Sequence, residues 1–388
     1  MNEKNLNVFI DFGSSKIRLG VYDNETSKNI FISEKDCISN FNLKKFEINN
    51  SNEIIRELIK SAEKKVDKHI NNINLMIDTP DMFSIDISIK KNFDSKKHLQ
   101  NNIKSLLNEA KSLVQKNYHN QKIIHMIVKK FVFDNEEYFE LPKNEINYDY
   151  LIIEIKFICF SSKIWKNLQD EFNKNYLNIK NLYCSSYIRS SNYNYLFNEF
   201  NKKVILDIGY GKSAITVFQG SRILYFNILP VGGRHITNDI SILLKINPED
   251  AETIKKNLNQ TETTFEKKEY KTSDLKSSNL STEVIHARVD EIIKLNLADE
   301  YFNEFFKNND TCILIFIGEG SKILNNNSIY LEEKFDFFNE INFFEENTTS
   351  ICDSGFNFNQ SGKFQEVNFL QKKTKIKGFF EKFFHFFR

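Results

Sequence analysis

Glycine and proline are scarce, 12 and 4 in 388 residues. Few positions can therefore take a positive φ or break a helix, and any place where glycines gather is informative. Long apolar runs are also missing. No stretch reaches the roughly 18 apolar residues of a spanning helix, and the opening MNEKNLNVFI has no apolar core of a secretion signal. The five cysteines, Cys37, Cys159, Cys184, Cys312 and Cys352, are scattered, odd in number and never spaced as CxxC. That pattern reads as a reducing cytoplasm with no disulfide frame and no zinc site. The seven histidines lack HExxH or other ligand spacing, so His235 and His286 read as structural. Charge of one sign is missing too: 53 basic residues against 52 acidic ones leave a net charge of +1. Neither nucleic acid nor a bulk acidic partner is implied. A soluble, cytosolic body is expected. The abundant Asn, Lys, Ile and Phe read as drift towards AT-rich codons, which strips their counts of functional meaning.

At 388 residues the chain exceeds the size at which a single core keeps growing, so two or more domains are expected. Two glycine-bearing stretches repeat one device. Val8 to Tyr22, VFIDFGSSKIRLGVY, and Val204 to Phe218, VILDIGYGKSAITVF, each run from an apolar strand through Asp-x-Gly into a second strand. Each predicts a β-hairpin with an acid at its bend. Gly13, Gly209 and Gly211 permit close backbone approach, so the turns can aim N–H groups at an anion such as a phosphate. Asp11 and Asp207 supply carboxylates at two facing loops, as a hydrated Mg²⁺ on a nucleotide requires. Their wide separation in the chain predicts two lobes closing on one nucleotide.

Between and beyond the hairpins the pattern alternates strands and helices. A strand is expected near Asn29 to Ser33, then a helix opening at Ser51 whose Ile54, Ile55, Leu58, Ile59, Ala62 and Val66 form one apolar stripe. From about Phe83 to Ser161 the rhythm changes to strand, helix, strand, strand, a βαββ-like unit large enough to be an insertion. A helix at Lys163 to Asn173 and the segment Leu182 to Tyr195 lead to the second hairpin. After it come a strand, a glycine turn at Gly232 and Gly233, a helix beginning near Thr237, and a second helix. The glycine turn offers backbone N–H groups at a helix start, a second kind of anion site, although such glycines are commonly structural. Residues 260 to 282 are polar and of mixed charge and read as a solvated loop or β-arm. A long helix from Glu283 and a strand CILIFIG follow, closing on Gly318-Glu319-Gly320-Ser321. From Asn325 to Gln371 the chain is poorly periodic, with one or two remaining core elements expected and then a linker.

The order of these motifs resembles the actin-like ATPase superfamily and, within it, the bacterial division protein FtsA. DFGSSK at 11 to 16 and DIGYGKS at 207 to 213 resemble the two phosphate motifs. VGGRHITNDI with PEDAETIK, then EVIHAR, then FIGEGSKI at 316 to 323 resemble the FtsA signature, a family helix and the adenosine motif. The resemblance covers roughly residues 6 to 325. It implies an α/β, actin-like (ribonuclease H-like) two-lobed fold with an inserted 1C-type subdomain. The expected division is 6–82 with 162–203 as the first lobe core, 83–161 as the insert, and 204–236 with 308–345 as the second lobe core. Residues 237–307 would form a 2B-like subdomain, 346–374 a linker with a possible last core element, and 375–388 an amphipathic helix.

The resemblance also implies ATP and Mg²⁺ and assigns their residues. The backbone of Gly13, Ser14, Ser15 and Lys16, and of Gly209, Gly211 and Lys212, would hold the phosphates. Asp11 and Asp207, the catalytic residues, would hold Mg²⁺ through water, with Asp207 or a residue near Ser185 orienting the attacking water. Gly232 and Gly233 would border the phosphates, Glu252 and Lys255 the ribose, and Gly318 and Ser321 the adenosine. Departures limit the chemistry: Tyr210 and Lys212 replace a glycine and the threonine of DIGGGT, and Glu319 replaces a glycine of the adenosine motif. A weak ATPase at most is expected, the alternative being an actin-like scaffold that no longer needs nucleotide.

The last residues, KTKIKGFFEKFFHFFR, form an amphipathic pattern. On a 3.6-residue period Ile376, Phe379, Phe380, Phe383, Phe384 and Phe387 share one face, with Lys375, Lys382 and Arg388 towards the other. Bulky aromatics towards acyl chains and cations towards anionic headgroups make an interfacial helix; docking on the protein's own core is the alternative. A fully buried Phe contributes about 1.5–3 kcal/mol and each cation near the headgroups about 1 kcal/mol, reduced by the ordering of a free tail. Family members end in such a helix. The implied partners are the FtsZ C-terminal tail, further copies of the chain in head-to-tail filaments, anionic lipids of the inner membrane and other divisome membrane proteins, with no nucleic acid. The expected place is the cytoplasmic face of the plasma membrane at the division septum. The rival readings are a PilM-like platform for pilus assembly and a kinase or other ATPase of the superfamily.

Overall fold

The computed structural model describes residues 6–37, 51–93, 99–142, 147–258, 272–297, 305, 311–327 and 338–360, with backbone alone for 258, 272–282, 297 and 325–327. The amphipathic tail, Lys375 to Arg388, lies outside the described residues.

Two five-stranded sheets repeat one topology. The first is ordered β3-β2-β1-β4-β9 and the second β12-β11-β10-β13-β14. In the first, β1 (Leu6–Phe12), β2 (Lys16–Asp23) and β3 (Asn29–Asp36) form an antiparallel meander, and β4 (Asn72–Ile77) and β9 (Asn178–Cys184) continue in parallel from β1. In the second, β10 (Lys202–Ile208), β11 (Ser213–Gln219) and β12 (Arg222–Leu229) form the meander, and β13 (Cys312–Ile317) and β14 (Glu340–Phe343) the parallel part. The central strands β1, β10 and β13 are buried on both faces, as their unbroken apolar runs demand.

A third sheet, β5-β8-β6-β7, is antiparallel throughout and is made by β5 (Phe83–Asn92), β6 (Gln121–Phe133), β7 (Glu136–Tyr138) and β8 (Tyr150–Ser161). Helix α2 (Leu99–Asn117) covers it with Ile103, Leu106, Leu107, Ala110 and Val114, closing a core separate from the other two.

Helix α1 (Asn52–Val66) turns its predicted stripe inwards, burying Ile55, Leu58, Ile59 and Ala62. α3 (Ser162–Lys174) packs Leu168 and Phe172 behind β9. α4 (Ser185–Leu196) is different in kind: nearly every side chain is buried, four serines among them, because it is wedged between β4 and β9 of the first sheet and β10 and β11 of the second. The core of the first sheet continues past it to Ile205, Phe218, Phe226 and Ile315 of the second. The second sheet's other face is covered by α5 (Gly233–Leu244), α6 (Pro248–Leu258) and α7 (Thr272–Leu297).

The last described helix, α8 (Thr348–Gln360), follows β14 of the second sheet yet lies on β1, β2 and α4. This helix therefore packs on the first sheet. Phe356 stacks on Tyr22 at 4.4 Å and meets Phe9 edge-on, and the Tyr22 hydroxyl donates to Asp353 at 2.6 Å.

Two expectations need correction. Residues 272–282 are helical rather than loop or β-arm, because α7 is one rod whose apolar side, Ile285, Val289, Ile292 and Ile293, docks on the second sheet; 260–271 lie outside the described residues. α5 begins at Gly233, not near Thr237: Gly233 N–H donates to Gly209 O at 2.9 Å and Arg234 N–H to Tyr210 O at 2.7 Å, so the loop completes the first turn.

Candidate functional site

The first hairpin brings acid and base together by register. Asp11 on β1 lies opposite Arg18 on β2, and the guanidinium donates to its carboxylate at 3.0 Å. Gly13 N–H donates to Lys16 O at 3.0 Å, and a Cβ on Gly13 would sit 2.8 Å from that oxygen. Ser185, the first residue of α4, donates to Asp11 at 2.7 Å. Arg18's other arm reaches across to Glu319 at 2.7 Å. Burial opposes the charge on Arg18, yet Asp11 and Glu319 hold its pKa above the ordinary value. Lys16 bridges Glu34 at 2.8 Å and Glu319 at 3.3 Å.

The second hairpin has no such partner within itself, since Asp207 lies opposite Ala214. Its cation comes from α4. Arg189 Nη2 is 2.6 Å from Asp207 Oδ1 and 3.1 Å from Glu346 Oε2. The Asp207 contact is one of charge: neither Arg189 Nη2 nor Asp207 Oδ1 makes a directed hydrogen bond. Ser186 Oγ sits 2.6 Å from Asp78 and 2.8 Å from Asp207. One hydroxyl hydrogen cannot serve both carboxyls. Burial raises the pKa of Asp207 against the pull of Arg189. Asp78, although burial works the other way, is held below its usual value by Lys212 and Ser186. Ser186 is thus better placed to donate to Asp78, whose charged form is the more favoured of the two.

The two loops touch. Gly211 N–H donates to Ser14 Oγ at 3.1 Å, and Lys212, from the second loop, donates to the Asp78 carbonyl at 2.7 Å and pairs with its carboxylate at 3.2 Å. Gly232 crosses the second loop so closely that a Cβ would lie 2.6 Å from both Gly209 O and Lys212 N. Its N–H is taken by His235 Nδ1 at 3.2 Å. The helix-start N–H groups of Gly232 and Gly233 are therefore spent on the protein rather than aimed at an anion. Lys255, on α6, donates to Glu252 at 2.5 Å, Thr237 at 2.7 Å and Gly233 O at 3.0 Å. Gly318 has φ +88°, donates to Glu346 at 2.9 Å, and its carbonyl accepts from the Ser321 hydroxyl at 2.7 Å.

The structure thus gathers Asp11, Gly13, Ser14, Ser15, Gly209, Lys212, Asp207 and Gly318 on one cleft, with Glu252 and Lys255 behind its second loop. Arg18, Asp78, Arg189 and Glu346 escaped the sequence reading. Only Arg18 had a signal, the hairpin register itself; Asp78 and Arg189 stand on elements fixed by tertiary packing.

A nucleotide and Mg²⁺ meet different fits here. The cleft as it stands has a free volume of about 50 Å³, below the ~300–1,000 Å³ range of small-molecule pockets. Lys16, Arg18 and Lys212 suit an anion. Magnesium needs carboxylate oxygens free to face its hydration shell. Asp11 is engaged by Arg18 and Ser185, and Asp207 by Arg189 and Ser186. Among the described residues no group of three or more His, Cys, Asp or Glu is placed to hold a metal ion. These residues do not fit magnesium.

Residues 204–367 match the family model described as cell division protein FtsA. Over these residues the chain is similar to FtsA. Cell division protein FtsA of Bacillus subtilis (strain 168) is 32% identical over 141 residues, covering 36% of this chain and 32% of that protein. The match thus spans about a third of the FtsA relative's length. Among solved structures, the PilM–PilN type IV pilus biogenesis complex superposes with a TM-score of 0.63 at 12% identity, covering 89% of each chain. MreB5 of Spiroplasma citri bound to ADP gives a TM-score of 0.46 at 12% identity, covering 91% of this chain and 95% of that one. The fold is actin-like.

Proposed function

We propose that this protein is an actin-fold division scaffold that tethers FtsZ filaments to the cytoplasmic face of the inner membrane. One observation carries the reading: the FtsA family match runs from β10 through α8, the whole second sheet and the helix that returns to the first. The FtsZ C-terminal tail would dock on the α5–α7 face, and head-to-tail self-assembly would array weak membrane contacts into a strong one. The membrane contact is assigned to Lys375–Arg388, beyond the described residues; no helix among the described residues is long and apolar enough to cross a membrane. The division into two lobe cores, an insert at 83–161 and a terminal helix follows the same reading.

ATP is the expected nucleotide. When bound, its phosphates supply negative charge for Lys16, Arg18 and Lys212, which would exchange their carboxylate partners for phosphate oxygens. No hydrolytic step follows from the geometry.

Sedimentation with anionic liposomes tests the tether: full-length protein is expected in the pellet, and protein lacking residues 375–388 in the supernatant. Equal sedimentation of both would defeat it. Capture by an FtsZ tail peptide, rather than by a peptide from a pilus inner-membrane protein, separates the tether from the pilus-platform reading.

A further inference from the structure

The cleft carries an arrangement that the family reading does not contain. Three basic side chains each bind carboxylates: Arg18 and Lys212 each join the two sheets, and Arg189 ties the helix wedged between them to the second. Arg18, on the first sheet, joins Asp11 of its own hairpin to Glu319 beyond β13. Arg189, on α4, joins Asp207 at the end of β10 to Glu346 between β14 and α8. Lys212, on the second hairpin, reaches back to Asp78 at the end of β4. Gly211 and Ser14 complete the contact between the loop tips.

We propose that Arg18 and Arg189 occupy the role of the magnesium ion, so that the two lobes are closed by the chain's own ion pairs without any metal. Two guanidinium groups bring the same two positive charges as one Mg²⁺. They bring them on covalent stems, at Asp11 and Asp207, the carboxylates between which the ion would sit. Arg18 is 6% exposed and Arg189 8%, so water and counter-ions screen these pairs little. Arginine suits the place because its fork spans two carboxylates and stays charged when buried. A magnesium ion entering here would have to displace a guanidinium from each aspartate and would leave Arg18 to Glu319 and Arg189 to Glu346 alone, each buried cation losing one of its carboxylates, a costly exchange. Tyr210 and Lys212 fit the same account: a loop freed from cradling a metal-bound phosphate tolerates a bulky side chain, and its lysine becomes a cross-link.

The inference stands apart from the tether reading, and its main readout needs no nucleotide. Full-length protein is melted in excess magnesium and in EDTA, each with and without ATP. The melting temperature is expected to be the same in magnesium and in EDTA. A rise with magnesium that EDTA reverses overturns the proposal, as does ATP binding, followed by calorimetric titration, that requires magnesium. Arg18→Met, which keeps most of the stem's apolar bulk, is expected to melt several degrees below wild type. An unchanged melting temperature in that variant would show that the clasp holds nothing together.

Discussion

Arg18 owes its partner to strand register. In a hairpin closed by the short Gly13–Lys16 loop, position 18 must face position 11, so the ion pair is written in the local sequence. Arg189 has no such determinant. It lies on a helix in which Ser185, Ser186, Ser190, Ser191 and Asn194 are buried, and no amphipathic pattern announces which side meets a carboxylate. Glu346 takes its character from the same spot. Burial pushes its carboxyl up to about 7 against the pull of Arg189, with Asp207 adding in the raising direction. A carboxyl whose folded-state pKa is raised binds its proton more tightly in the native state. Its contribution to stability is complete below its unfolded value and is lost as pH rises through about 7. Asp207, also raised by burial, has the same sign, while Asp78, lowered, loses its contribution only in acid. Thermal melts are therefore expected to show a higher melting temperature near pH ~6 than near pH ~8, and Glu346→Gln is expected to flatten that slope.

At the scale of elements, α8 shows how closely a helix can approach a sheet when glycines meet it. A Cβ on Gly355 would lie 2.6 Å from Met76 Sδ and 2.8 Å from Phe9, and one on Gly20 of β2 would lie 2.8 Å from Cys352 Cβ. Gly355→Val is expected to lift α8 from the sheet and separate the stacked Phe356 and Tyr22 rings. Loss of a buried Phe's contacts costs about 3–5 kcal/mol, so limited trypsin digestion should cut the variant faster in this segment than wild type. The strong periodic elements, α1, the two hairpins and β13, were legible because each buries a regular face. β4 is not legible in the sequence: NINLMI is short and carries Asn74, a polar residue buried in mid-strand because its side-chain amide donates to Val8 O at 3.2 Å. The first turns of α7 were hidden by TSDLKSSNLST, a stretch of residues with weak helix propensity that extends a helix anchored further on. α8 is legible only as a possible core element because its apolar positions match a sheet distant in sequence.

On the scale of the whole molecule, the two main sheets share an apolar core around α4 and a polar clasp across the cleft. Lobes joined by both should not melt independently. Scanning calorimetry of the wild type is expected to show one cooperative transition for the described body. Arg189→Ala leaves Asp207 and Glu346 without their cation, a change that costs about 3–5 kcal/mol for a buried pair, and should lower that transition or split it.

The path of α8 has a mechanical consequence. The chain leaves the second sheet after β14 and ends its described course on the first, where the Gln360 side chain donates to Asn24 at 3.3 Å. A pull on residues beyond 360 therefore enters through β1 and β2, whereas a pull on α5 or α7 enters through the opposite sheet. The load passes between them as shear across the cleft, and Arg18, Arg189 and Lys212 are the rivets that bear it.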